Sequence, residues 1–543
     1  MGHPISLPCP RGSALTRLVP VLTFHHMTER YFAEIALLLH PKDNVAVLKK
    51  PLAVGDEFIH GSIRLLMKTR IGPGHKIAIA PIPSGEAVRK YGQIIGFARE
   101  HIPLGAHVHT HNLGIRDFGR DYDYCVEATP IHFYPPDQMR YFQGYARPGG
   151  RVGTRNYVAV ISSVNCSASV SQYVRDRFRT DDFRRQFPNV AGVIAFTHKA
   201  GCGLDPGEPQ RLLQRVLAGM ARHPNISGYV MIGLGCEVNQ VDAIRKNHQL
   251  AEIKPGESEP VFMNVQALGG VRKTVEAGVA AVEKLVRRAN ELTRSRQPVS
   301  RLTLAENCGG SDGYSGITAN PALGVASDEL VRYGGTSVLA ETPEIYGAEH
   351  LLTRRALTRE VGEKLVARIR WWEAHVRQHE SSIDNNPSPG NKEGGLTTIY
   401  EKSLGAVAKG GQSPLSAVYE YAEPITTPGF SFMDTPGYDP VSMTGLVAGG
   451  CNLGVFTTGR GSVYGCKPAP CIKVATNSTL YRWMEEDMDI NAGTILDGVE
   501  TVEQVGQRIF EKIIAVASGE KTKSELAGIG DEEFAPWQLG PTF

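Results

Sequence analysis

The 543-residue chain has no apolar run near the ~18 residues a membrane-spanning helix needs, which argues against a helical membrane protein. It also lacks a charge surplus. Its 58 Lys and Arg against 56 Asp and Glu leave a formal +2, which gives no reason to expect nucleic acid or a membrane surface as partner. Cysteine is scarce and odd in number, nine in all, so a disulfide scaffold is excluded and a cytoplasmic protein with reduced thiols is expected. No two cysteines stand in C-x-x-C spacing, which disfavours a zinc ribbon or a thioredoxin-type site. What remains is ordinary soluble composition, 41% hydrophobic and 21% charged, in a chain long enough for about three domains and a large core. Residues 1–40 contain a short apolar stretch, Leu18 to Phe24, broken by His25-His26 with no small-residue cleavage site after it. They read as a disordered extension, with a signal peptide as the lesser reading and Met27 as a second candidate start.

From Asn44 to about Leu113 the chain is rich in Val and Ile with closely spaced turns, which predicts a small β domain. Two turns echo each other twenty residues apart, "IPSGEAV" (82–88) and "IPLGAHV" (102–108), and suggest two similar β arms. The second continues as "GAHVHTHNL". If this is a strand, His107, His109 and His111 share one face, because side chains alternate with period two. Three imidazoles on one face suit a metal or an anion, and an exposed polar strand face explains them as well. An irregular link rich in Pro and Tyr fills 114–146.

From Tyr157 strands alternate with helical stretches, the pattern of a mainly parallel sheet. Four apolar runs each end on a cysteine. "YVAVISSVNC" leads to Cys166, "VAGVIAFTHKAGC" to His198 and Cys202, "GYVMIGLGCE" to Cys236 and Glu237, and "LTLAENCGGSD" to Cys308 and Asp312. A buried thiol in a turn explains any one of them, since free cysteine packs as a small hydrophobe. Core filler would not recur at strand ends, whereas ligands of open α/β sheets bind beyond the carboxyl ends of the strands. Val271 to Leu292 has helical apolar spacing.

The C-terminal part repeats the form. "GGTSVLAETPE" is a strand ending on Glu341 with Glu344 beyond. "DNNPSPGNKEGG" is a Pro/Gly loop with Asn386, Asn391 and Lys392, followed by a helix bearing Lys402. "LGVFTTGRG" ends on Thr458 and Arg460. Glycines flanking an arginine free the backbone so that the guanidinium can clasp a carboxylate or phosphate, although Gly-Arg-Gly also occurs in ordinary turns. Cys451, Cys466 and Cys471 lack nearby acids or histidines and read as structural.

Together "HVHTHN", "VGTRN", "THKAGCG", "GLGCE", "CGGSDGYSGITANP", "NPSPGNKEGG", "TTGRG" and "DINAG" resemble the altronate/galactarate dehydratase family, and "GAHVHTHNL" with "TPGFSFMDTPGYD" looks closer to the altronate branch. The resemblance implies an α/β protein with a small N-terminal SAF-type β domain (41–113) and a link (114–146). Two α/β regions with mainly parallel sheets follow (147–297 and 298–543). It implies a hydro-lyase that removes water from an aldonate or aldarate such as altronate, giving a 2-keto-3-deoxy acid, with dependence on Fe(2+). Galactarate dehydration and a sulfolactate-type C–S cleavage are the enzymatic alternatives.

Such a dehydration needs stabilisation of an enediolate, a base for the α-proton, an acid for the leaving hydroxyl and cations for the carboxylate. The residues offering these types are His198, Glu237, Asp312 and Glu341 as acid–base candidates. Asn391, Lys392, Lys402, Thr458, Arg460, His107, His109 and His111 are the substrate-binding candidates. Cys166, Cys202, Cys236 and Cys308 are expected to line one cleft as iron ligands, for a single Fe(II) or a cluster. A thiol or metal redox sensor would use the same cysteines without needing Lys392 and Arg460, and a carbohydrate-binding module would need the polar loops without the thiols. The expected partner is a small sugar acid, with neither nucleic acid nor membrane, and a homo-oligomer is compatible with the chain.

Overall fold

A computed structural model describes residues 29–540, apart from 117, 118, 121, 253–255 and 257. The predicted extension lies outside the described residues up to position 28, but its last part is structured. Glu29–Tyr31 pairs in parallel with Glu57–His60, and Ala36–Leu37 pairs with Val45–Leu48. Ile35 and Ala36 join Leu48, Phe58 and Ile77 in a small apolar core, so burial carries these residues into the β region. Strands of two or three residues offer no alternation to read.

Up to Gly114 the chain forms three small sheets. The echoed turns meet each other, for Ile82 and Ile102 form an antiparallel bridge and both are buried. Gly85 (φ 82°) and Gly105 (φ 78°) occupy the left-handed region that glycine enters without steric cost. The end of the predicted link is a strand, Tyr141–Ala146, paired with Ser295–Pro298.

Tyr157–Ser162 (β1), Gly192–Phe196 (β2), Ile226–Gly233 (β3) and Val261–Asn264 (β4) make a parallel sheet in the order β2-β1-β3-β4. Every residue of β1 is buried, as a parallel strand covered on both faces requires. Val158 and Val160 pack with the helices Ala168–Asp176 and Val271–Asn290. Ala159 and Ile161 pack with Glu208–Ala221 on the other face.

The second sheet is larger. Thr303–Cys308 (β5), Thr336–Leu339 (β6), Leu415–Tyr419 (β7), Gly429–Met433 (β8), Leu453–Thr458 (β9), Cys471–Ala475 (β10) and Ile490–Asn491 (β11) run parallel in the order β7-β8-β6-β5-β9-β10-β11. Helices Ala319–Arg332 and Val502–Ala517 cover one face and Asp439–Gly449 the other. The chain leaves β5 toward β6 and leaves β9 toward β10, in opposite directions. Such a reversal opens a crevice beyond the carboxyl ends of adjacent strands. Among the described residues no helix is long and apolar enough to cross a membrane.

Candidate active site

Beyond the ends of β5 and β6 lies a buried group of charged side chains. Cys308 is the last residue of β5, within the strand instead of past it, and only 2% exposed. Glu341 follows β6 with φ 72°, a left-handed conformation that is uncommon for a residue with a side chain, and its N–H donates to Thr435 Oγ1 at 2.9 Å. Glu344 sits in the next turn. The Cys308 thiol lies 3.6 Å from Glu344 Oε2 and 4.0 Å from Glu341 Oε2. Two cations close the group. Lys409 Nζ donates to Cys308 Sγ at 2.8 Å and lies 3.6 Å from Glu341, while Lys402 Nζ donates to Glu344 at 2.7 Å and to Asn386 at 2.8 Å.

These surroundings push the two carboxyls apart. Burial, with Glu344 beside it, raises Glu341 well above the usual carboxylate range, and one of its oxygens has no hydrogen-bond partner. Burial acts on Glu344 in the same sense, but Lys402 and Lys409 outweigh it and its pKa is lowered. Burial lifts the Cys308 thiol to about 12 in spite of Lys409. Asp439 is raised to about 7 by burial and by Glu344. The surroundings thus favour the protonated form of Glu341 and the ionised form of Glu344, beside a neutral thiol and two ammonium ions, and so favour a positive surplus that Asp439 offsets only in part. Lys409 has no motif in the sequence to betray it, because it lies in an apolar helix end and its thiol partner is 101 residues upstream.

A small cavity lined by Tyr91, Cys308, Asp312, Asn320, Glu401 and Lys402 joins this group to the Gly309–Asp312 loop. That loop is stitched to the end of β9, since Gly459 N and Arg460 N both donate to Gly310 O. Arg460 is half-exposed and pairs with Glu393 at 3.2 Å. Asp312 is buried beside this cavity. Its carboxylate accepts from Thr476, Ser315, Asn477 and the Tyr314 N–H, and so fixes the loop. Asn391 and Thr458 are likewise engaged. Asn391 Nδ2 donates to Ser311 O while its Oδ1 caps the helical turn Pro389–Glu393, and Thr458 Oγ1 accepts from Gly461 N.

The three predicted histidines do come together, although not by strand alternation. The strand is only His107–Val108, and a turn held by the Asn112 side chain brings the others round. Ring centroids of His107 and His109 are 5.2 Å apart and those of His107 and His111 5.6 Å. His75, not foreseen, completes the set with Nδ1 3.0 Å from His107 Nε2. Burial lowers His107 to about 3 and His109 to about 4, so both rings are neutral at pH 7. His109 Nε2 contacts Lys392 O at 2.9 Å and His75 Nε2 contacts Glu393 O at 3.1 Å, which sets the histidines against the loop that carries Lys392.

The four cysteines do not form one group. Cys308 belongs with Glu341 and Glu344, while Cys166, Cys202 and Cys236 are exposed on loops after β1, β2 and β3. Cys202 and Cys236 stand close enough to Cys166 to add to the effect of burial in raising its pKa. The division follows from the fold, because each sheet gathers the strand ends of its own region. His198 and Glu237, predicted as acid–base groups, stand in these loops with their polar atoms engaged. His198 is buried, lowered to about 4, accepts from Ala200 N and donates from Nε2 to Ser162 O. Glu237 accepts from Ser163 Oγ, Leu234 N and Gly235 N.

Two donor sets could take a metal. Cys308, Glu341 and Glu344 place their ligand atoms within 4.8 Å of one another, but two ammonium groups already balance them. Among the described residues no lysine or arginine donates to the exposed trio of thiols, and soft sulfur donors suit iron.

Comparison with known proteins now decides the family. Residues 34–116 match the altronate/galactarate dehydratase SAF domain, 144–290 the second domain of D-galactarate dehydratase/altronate hydrolase, and 299–542 the C-terminal domain of D-galactarate/altronate dehydratase. The chain belongs to the altronate/galactarate dehydratase family. It is 35% identical to altronate dehydratase of Bacillus subtilis (strain 168) and 36% identical to that of Escherichia coli (strain K12), over 90% of this chain and 96% of each relative. It is 37% identical to galactarate dehydratase (L-threo-forming) of Escherichia coli (strain K12), over 91% of this chain and 95% of that enzyme. Relatives from both branches of the family are thus matched over nearly their whole length.

Proposed function

We propose that this protein is a hydro-lyase that removes water from an aldonate or aldarate such as altronate to give a 2-keto-3-deoxy acid. The observation that carries the chemistry is the pair Glu341 and Glu344, buried together with their pKa values driven in opposite directions. Such a divergence assigns acid and base roles at one pH. The ionised Glu344 accepts the α-proton, and the protonated Glu341 delivers one to the departing hydroxyl. One proton enters the pair and one leaves it, so the catalytic charge is restored once the remaining proton passes between the two carboxyls. The positive surplus of Lys402 and Lys409 favours the carboxylate and the enediolate that follows proton loss.

Arg460 and the histidine set His107, His109 and His111 gather around the Lys392–Glu393 segment, and with Lys392 they suit the carboxylate and hydroxyls of a sugar acid at an outer approach to the site. Iron, held by Cys166, Cys202 and Cys236, would supply a Lewis acid for substrate oxygens. A cytoplasmic location accords with eight described cysteines that are all free. The test is an anaerobic screen of the iron-loaded protein against altronate, galactarate and other sugar acids, reading 2-keto-3-deoxy products. Turnover of none of them, by folded iron-loaded protein, overturns the reading.

A further inference from the structure

The three exposed thiols sit on a braced platform. Their loops leave three adjacent strands, in the order β2-β1-β3, at the same edge of the sheet. The loops are tied crosswise. Asn165 N donates to Ala200 O at 3.0 Å, Val238 N to Cys202 O at 3.2 Å, Asn239 N to Gly201 O at 3.1 Å, and Asn239 Nδ2 to Ser163 O at 2.8 Å. Glu237 closes the Cys236 turn and His198 fastens the Cys202 loop to the end of β1, as described above. Gly201 (φ 105°) passes so near β1 that a Cβ would meet Ser163 O at 2.7 Å, so this close approach needs glycine. A fourth loop contributes Gln266, whose Nε2 donates to Cys236 Sγ at 3.3 Å. Buried polar side chains thus spend their hydrogen bonds on holding three cysteines at the surface, an arrangement that packing alone does not call for.

The spacing of the thiols separates two kinds of ligand. Three thiolates on one tetrahedral ion at ~2.3 Å would stand about 3.8 Å from one another. Cys166, Cys202 and Cys236 do not all lie within 4.8 Å, whereas Cys308 with its glutamates does. Among the described residues no carboxylate or imidazole forms a set of three with two of these thiols at that range, and Glu237 beside Cys236 is engaged by Ser163, Leu234 and Gly235, which leaves sulfur as the donor set.

We propose that Cys166, Cys202 and Cys236 bind an iron–sulfur cluster through three thiolates, leaving one iron of the cluster without a cysteine ligand. The wider spacing and the all-sulfur set fit a cluster, which cysteine thiolates hold, better than a single ferrous ion. A hydrogen bond such as that from Gln266 is the kind that tunes a cluster's potential. An iron lacking a thiolate keeps a position open for an oxygen ligand, as catalytic metal sites do. The inference deepens the dehydratase reading by naming the form of iron, and it is tested without turnover.

Full-length protein purified without oxygen should show broad sulfide-to-iron absorption near ~400 nm and contain about four iron and four acid-labile sulfide per chain. Cys166→Ser, Cys202→Ser and Cys236→Ser should each lose most of the iron, the sulfide and the absorption while melting as the wild type does. Cys308→Ser should keep all three. Iron at one per chain with no sulfide overturns the inference, and so does cluster loss in Cys308→Ser alone. If a serine variant unfolds, the wild-type sulfide content decides the matter by itself. Dehydration of sugar acids by a protein with a single iron and no sulfide overturns the cluster and leaves the function. A cluster in a protein that turns over no sugar acid does the reverse.

Discussion

At the scale of single residues, function turns on which groups hold a proton at neutral pH. Glu341 and Glu344 share the same buried surroundings, and the difference between them is the position of the lysines: Lys402 donates directly to Glu344, whereas Lys409 stands 3.6 Å from Glu341 and donates to Cys308 instead. Glu341→Gln keeps the shape but cannot give up a proton, and should lower kcat by about 10²–10⁴ with the melting temperature held. Activity of the wild type should fall on the alkaline side as Glu341 ionises, and on the acid side as Glu344 takes up a proton. The alkaline limb due to Glu341 should vanish from the residual activity of Glu341→Gln, and a pH profile unchanged in shape would remove Glu341 from the role of acid. Arg460 tests the outer approach. Arg460→Lys keeps the charge but loses the two-pronged geometry, so kcat/KM should drop at least about tenfold in a folded protein, and near-normal kinetics would mark the Gly-Arg-Gly segment as a structural turn.

At the scale of elements, one helix links two regions. Ile399–Val407 is buried along its whole length. Its Lys402 meets Glu344 at the site, while the preceding Glu401 points into the β region, where Lys76 Nζ lies 2.8 Å and Lys90 Nζ 2.9 Å away with all three side chains enclosed. Removing the charge from Glu401 leaves two buried ammonium ions facing each other, so Glu401→Gln should destabilise the protein by about 3–5 kcal/mol, read from denaturant unfolding. The same group gives a pH dependence. Burial disfavours the ionised form, but Lys76 and Lys90 outweigh it and the folded pKa lies below its ordinary value of 4.5. Its stabilisation is therefore full above that value and is lost as the pH falls below it, and an acid limb of stability that persists unchanged in Glu401→Gln would assign the effect elsewhere. Much at this scale was legible in the sequence. Long apolar runs such as Tyr157–Ser162 gave the parallel sheets, and glycine after Cys308 and around Arg460 gave the loops. The acid–base partners were harder to read. His198 and Glu237 have the right chemistry and stand beside cysteines, but their hydrogen bonds go to backbone and hydroxyl groups of their own loops and of the neighbouring end of β1. Lys409 contributes through a contact with a thiol 101 residues away, and no local pattern encodes such a distance.

At the scale of the whole molecule, the N-terminal β region is bound into the rest of the chain in a way its sequence does not suggest. Read from the sequence it is a small β domain set off by an irregular link. In the structure Lys76 also donates to Gly395 O at 2.7 Å, Tyr314 Oη donates to Leu48 O at 2.8 Å, and His75 and His109 contact the backbone of Glu393 and Lys392. Backbone approaches backbone where Gly74 meets Gly313 and Gly395, too closely for a Cβ on either partner. Val45, Val88 and Val108 of the β region belong to the same apolar core as Ile399, Leu404 and Phe430. A shared core of this kind unfolds as one unit. Deleting residues 1–113 would expose that core and strand Glu401 without its lysines. The remainder should therefore fail to fold as a stable monomeric species, and wild-type protein should melt in one calorimetric transition whose van't Hoff and calorimetric enthalpies agree for the two regions together. The test that separates the two views is the truncated chain by itself. A soluble remainder with a sharp melt and native circular dichroism would show the β region to be a separate domain, whereas aggregation or a broad, heatless transition would show that the histidine-bearing region is part of the catalytic fold.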